Sequence, residues 1–144
     1  MRIGLPCDGT APVTARRRLA ALLDQGWPLG DAMLVASELV TNALRHSGCR
    51  SGDRLVVTVI RQREQVRIEV RDPGRSGGVA QVARRPPCEG GLGLRIVEQL
   101  AVRWGARRDE HGYEVWAELP VSGWPAERAG RSAGSRAPAR GHGR

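Results

Sequence analysis

The segment SELVTNALRHS, Ser37–Ser47, lies in a run with helical periodicity, yet it carries a carboxylate, an amide and a guanidinium in single file. Glu38 and Asn42 stand one helical turn apart, with Arg45 at the next step. At about 100° per residue, Ala32, Met33, Ala36, Leu39, Val40, Ala43 and Leu44 share one broad side. Ser37, Glu38, Thr41, Asn42 and Arg45 share the other. An ordinary amphipathic helix accounts for that division by periodicity alone. Two details resist it. Leu34 and Val35 flank the polar file, so that face is not fully wet. A solvated file would also favour Glu, Lys or Arg over Asn and Thr, which are poor helix formers. Side chains one turn apart have β-carbons about 5–6 Å from each other. An amide oxygen is a good ligand for a hard cation, and a carboxylate beside it can ligate or accept a proton.

Outward from this helix, placed at about residues 31–46, the pattern alternates. RIGLP (2–6) reads as a short strand. Pro12 to Gln25 reads as a helix with Val13, Leu19, Leu22 and Leu23 on one side, Thr10 and Pro12 as start signals and Gly26 as a stop. RLVVTVI (54–60) and VRIEVRD (66–72) read as strands joined by the polar turn RQREQ. Residues 73–91 have a loop composition. LGLRIVEQLAVRW (92–104) reads as a third helix that begins in glycines. WGARR and YEVWAEL close the domain as two strands around a DEHG turn. The fold class expected is α+β: a two-layer sandwich with a mixed, mostly antiparallel sheet and about three helices on one face.

Length and composition narrow the function. A chain of 144 residues predicts one domain. No apolar run approaches the ~18–20 residues of a membrane span, and MRIGLPCDGT lacks the apolar core of a signal peptide. Cys7, Cys49 and Cys88 form no C-x-x-C pair, so free thiols in a reducing cytoplasm are expected and zinc is not. The net charge of +8 resembles a nucleic-acid signal. However, every basic residue is Arg, which reads as codon usage of a GC-rich genome. Five of those Arg, against one Glu, also fall in VSGWPAERAGRSAGSRAPARGHGR (121–144). That segment lacks periodicity and is expected to be a disordered tail, leaving a domain at 1–120.

Two further motifs carry chemistry. Val66, Ile68 and Val70 alternate with charged residues, and Asp72 continues the apolar parity. DPG makes Asp72 a respectable turn former. A carboxylate facing a pocket would instead suit adenine's exocyclic amine and repel guanine's O6. In EGGLGLRIVEQL, Gly90, Gly91 and Gly93 crowd a helix start, where glycine costs roughly 1 kcal/mol against alanine. A loop that merely ends there is one reading. A phosphate cradle of backbone N–H groups at a helix N-terminus is the other.

Taken in order, ELVTNALRH, VRDPG and GGLGLRIV resemble the N, G1 and G2 boxes of the GHKL (Bergerat-fold) ATP-binding family, over roughly residues 2–120. The wording is most similar to its small anti-sigma-factor serine/threonine kinase branch, abundant in actinobacteria. The resemblance implies ATP and Mg²⁺ as cofactors. Asn42 would be the metal ligand and Glu38 the catalytic base. Asp72, with Gly74 behind it, would read adenine. Gly91, Leu92, Gly93 and Leu94 would approach the phosphates through their backbone, and Arg45 would assist. Residues 73–90 would be the ATP lid. An anti-anti-sigma (STAS-type) partner, a sigma factor and a homodimer are implied as well. Ser76 stands where the second glycine of D-x-G-x-G would be, and the lid contains RRPP. Both departures bear on affinity and turnover rather than on fold. No phosphoacceptor segment precedes the domain, so a complete histidine kinase is not expected. A nucleotide-sensing module without kinase activity is the alternative function. An Arg-driven nucleic-acid binder ranks third, because stacking aromatics and a recognition-helix pattern are missing.

Overall fold

A computed structural model describes residues 1–21, 29–62, 65–74 and 92–120. Strands β1 (Arg2–Pro6), β2 (Arg54–Arg61), β3 (Gln65–Asp72), β4 (Arg103–Asp109) and β5 (Gly112–Pro120) form one sheet in the order β1-β2-β3-β5-β4. Every pairing in it is antiparallel, so nothing in the described sheet is mixed. Helices α1 (Ala11–Ala20), α2 (Leu29–His46) and α3 (Leu92–Leu100) pack side by side on one face. Helix α2 is central, touching α1, α3, β2, β3 and β5.

The period-two pattern explains which face is covered. Val57, Val70 and Val115 lie across from one another in successive strands, as do Val59, Ile68 and Ala117, and all are buried beneath the helices. Burying each valine or isoleucine among them is worth about 1.5–3 kcal/mol. The alternate residues form the uncovered face, and there Glu114 and Glu118 are only 4% exposed. Arginines from the neighbouring strands lie down over them. Arg71 and Arg107 reach Glu114 at 2.9 and 2.8 Å. Arg67 and Arg103 reach Glu118 at 3.0 and 2.8 Å. Burial would raise the Glu118 carboxyl, but these two guanidiniums hold it below its usual range. Trp116 lies between the two glutamates, with Arg67 stacked 4.0 Å from its ring. A Cβ on Gly105 would come 2.9 Å from that indole, so the bare glycine makes room for it.

Three expectations change. Helix α1 buries Ala11, Ala15 and Leu19, whereas Val13 is 60% exposed. The stripe at i, i+4 and i+8 faces the core, and Val13 falls off it. Thr10 occupies the N-cap of α1, but its hydroxyl donates to Asp8 Oδ1 instead of capping the helix. Leu22 and Leu23 lie outside the described residues. Helix α3 stops at Leu100 rather than running to Trp104. The Ala101 N–H closes the last turn on Val97, and the Val102 N–H donates to the Glu118 carbonyl. The next residue already belongs to the sheet. Finally, Cys7 and Cys49, expected as free thiols, are joined in a disulfide with Cα atoms 5.9 Å apart. The Cys7 N–H donates to the Asp53 carbonyl, which brings the end of β1 against the turn after α2. Cys88 and the segment 121–144 lie outside the described residues.

Candidate functional site

Helix α2 starts the site. Ser37 is buried and its hydroxyl donates to the Met33 carbonyl at 2.8 Å; Thr41 does the same to the Ser37 carbonyl at 2.8 Å. These two members of the polar file are therefore satisfied within the helix. Glu38 and Asn42 are half-buried, while Arg45 and His46 are exposed at its C-terminal end. The file thus divides into helix-satisfied hydroxyls, a half-buried carboxylate and amide, and an exposed basic end.

Helix α3 meets that file at Gly93. A Cβ built there would fall 2.5 Å from Glu38 Oε2 and 3.5 Å from its Cδ. The carboxylate therefore rests on a bare Cα in the first turn of α3, where helical N–H groups have no intrahelical partner. Leu94 anchors the same turn in the core at 5% exposure. Leu92 opens the helix, and Gly91 lies outside the described residues, as do 75–90 of the expected lid.

Strand β3 contributes Asp72. It holds the parity of Val66, Ile68 and Val70 and is 4% exposed. Its Oδ1 accepts the Gly74 N–H at 2.6 Å. Burial pushes its carboxyl above the usual range, opposed by that hydrogen bond and by the Arg108 charge. The turn reading of DPG holds: Asp72 caps its own turn through one oxygen, on the face of the sheet that the helices cover. The turn itself is clamped. Gly74 has φ 65°, and a Cβ there would meet Gly112 Cα at 3.0 Å. A Cβ on Gly112 (φ 135°) would overlap the Asp72 carbonyl oxygen. Residues Gly112, Tyr113 and Arg108 escaped the sequence reading. The DEHG turn marked Gly112 as a turn glycine, but no local signal showed that the turn packs on Asp72.

Among the described residues, no group of three His, Cys, Asp or Glu could hold a metal ion. The Asn42 amide and the Glu38 carboxylate, one turn apart on α2, are oxygen donors of the kind a hard cation takes.

The profile of the histidine kinase-like ATPase domain matches residues 9–119. The chain belongs to this family. The histidine kinase-like ATPases are ATP-binding domains, and in this member Glu38 of the first motif rests on Gly93 of the third, while Asp72 of the second ends β3, a strand that packs against α2. Its structure is similar to the crystal structure of the RsbU and RsbW domains of Rv1364c from Mycobacterium tuberculosis. The TM-score is 0.60 at 20% identity, covering 84% of this chain and 32% of that one. The chain thus spans about a third of that protein, and the likeness is one of fold. No curated protein matches the sequence. Among the described residues, no helix is long and apolar enough to cross a membrane.

Proposed function

We propose that this histidine kinase-like ATPase binds Mg-ATP and transfers the γ-phosphoryl group to a serine or threonine of a small anti-anti-sigma, STAS-type partner. We further propose that it works as a homodimer in the cytoplasm, where it sequesters a sigma factor and where the Cys7–Cys49 bond would be subject to reduction. The observation that carries the reading is the Glu38 carboxylate seated on Gly93 at the start of α3. It puts a proton acceptor beside the helix end that would receive the phosphates.

Asp72 accepts the adenine amine through the oxygen not used by Gly74. Backbone N–H groups from Gly91 to Leu94 hold the phosphates with the positive end of the helix dipole. Asn42 would hold Mg²⁺, whose charge would offset that of the phosphates. Glu38 takes the proton from the attacking hydroxyl as its oxygen bonds to the γ-phosphorus and ADP departs. Phosphoryl transfer asks for little beyond such positioning and charge neutralisation. Arg45, exposed at the end of α2, assists at the phosphates.

The nucleic-acid reading loses support on the uncovered sheet face. Arg67, Arg71, Arg103 and Arg107 there are each bonded to carboxylates. The test uses radiolabelled ATP, the full chain and candidate partner proteins. Label should appear on one partner and vanish with Glu38→Gln, while ATP affinity is kept. Asn42→Ala should lose the Mg²⁺-dependent part of that affinity. A parent protein that binds ATP but labels nothing would leave the nucleotide-sensing module as the better reading.

A further inference from the structure

Arg108 lies on β4, directly across from Tyr113 on β5, and Tyr113 in turn lies across from Asp72 on β3. The three therefore share the helix-side face at one end of the sheet. The Arg108 guanidinium sits 5.4 Å from the centre of the Tyr113 ring. Its Nη1 donates to the Gly74 carbonyl at 2.8 Å, across 34 residues of sequence. Gly74 is thus held at both ends. Its N–H donates to Asp72 Oδ1, and its carbonyl accepts from Arg108. Underneath, Gly112 and the Tyr113 backbone leave it no room to sink.

A surface arginine that merely covers a carbonyl is the plain alternative, and such contacts are worth little. Two features set this one apart. The acceptor belongs to the residue that orients the Asp72 carboxylate. The guanidinium is also placed by a buried ring that itself borders Asp72, since Tyr113 is only 6% exposed. Movement of Gly74 would release Oδ1 and let the carboxylate turn.

The geometry points to Arg108 as a positioning residue for base selection: by fixing Gly74 it aims the free oxygen of Asp72 at the amine of adenine. This rests on the ATP-binding reading and names a determinant of base preference within it. Arg108 touches neither phosphate nor metal in this scheme, so its effect belongs to the base half of the ligand.

The experiment is calorimetry on the full chain with three Mg²⁺-loaded probes: ATP, GTP and inorganic tripolyphosphate. Arg108→Ala should weaken ATP about tenfold, the scale of one charge-assisted hydrogen bond. It should leave tripolyphosphate unchanged and draw the ATP and GTP affinities together. Arg108→Gln, which keeps a donor for the Gly74 carbonyl, should recover part of the preference. It also serves if the alanine variant fails to fold. Equal losses for ATP and tripolyphosphate would overturn the assignment, because they would report lost positive charge. So would unchanged ATP binding by both variants. If Asp72→Asn abolishes base preference while the Arg108 variants are neutral, only this assignment falls. A parent that binds no ATP removes both this and the reading beneath it.

Discussion

The Glu38 carboxylate rests against the Cα of Gly93, so closely that a methyl group on Gly93 would come 2.5 Å from Oε2. The contact joins the middle of α2 to the first turn of α3. It makes a glycine in a helix, ordinarily a cost of roughly 1 kcal/mol against alanine, part of the site.

Gly93→Ala should therefore separate stability from chemistry. The obstructing atom is the tip of a flexible side chain, so the fold can yield by turning Glu38 away. The melting temperature is expected to hold or rise slightly. Phosphoryl transfer should fall on the order of 10²-fold, the scale of a misplaced catalytic group. A single-turnover assay beside a thermal melt checks both; a variant that transfers at the parent rate would detach Glu38 from the chemistry.

Asp72 sets up the opposite trade. Burial raises its carboxyl above the usual value of 3.8. A group raised in the folded state contributes fully below its unfolded value, and that contribution is lost as pH climbs through the folded one. At neutral pH the ionised Asp72 is thus a cost to the empty protein. Asp72→Asn should remove that cost and keep the Oδ1 bond to Gly74. The expected result is a higher melting temperature without ligand near pH 7, a gap that closes towards pH 4, and about tenfold weaker ATP binding. In the parent, adenine preference should fade as pH drops through the raised value. Equal ATP and GTP affinity at pH 7 would remove Asp72 as the base reader.

The Cys7–Cys49 bond closes a loop across 42 positions and ties β1 to the turn after α2. Chain entropy makes such a link worth about 2–4 kcal/mol. Reductant, or Cys7→Ser without reductant, should lower the denaturant midpoint by the same amount, and the two together should do no more. A midpoint indifferent to reductant would show that the bond contributes nothing.

Truncation after Pro120 should leave the melting temperature and ATP affinity nearly unchanged. The segment 121–144 has no periodic apolar face to dock. A fall of several degrees would place Trp124 or its neighbours on the domain.

Local periodicity carried the sequence reading a long way. Val66, Ile68, Val70 and Asp72 announce one face of a strand because side chains alternate by geometry. The same rule marks the neighbouring strands, and the 3.6-residue period of a helix marks the polar file of α2. The three motifs could be found because each is short and contiguous, with its chemistry in residue type and spacing. Periodicity names faces without saying what covers them. That is why Val13 reads as inward on a helix whose buried stripe runs Ala11, Ala15, Leu19. It is also why Glu114 and Glu118 gave no sign of lying buried under arginines from adjacent strands. The remaining determinants join distant segments: Cys7 with Cys49, Gly112 with the Asp72 carbonyl, Arg108 with Gly74. The last two depend on the sheet order, which sets β5 between β3 and β4 and brings the β4–β5 turn beside the end of β3; the first depends on β1 lying beside β2. Strand order is a property of the packed whole, because loop closure and burial select it together. The candidate site residues were therefore legible in short words of sequence, and the contacts that hold them were decided only when the chain folded.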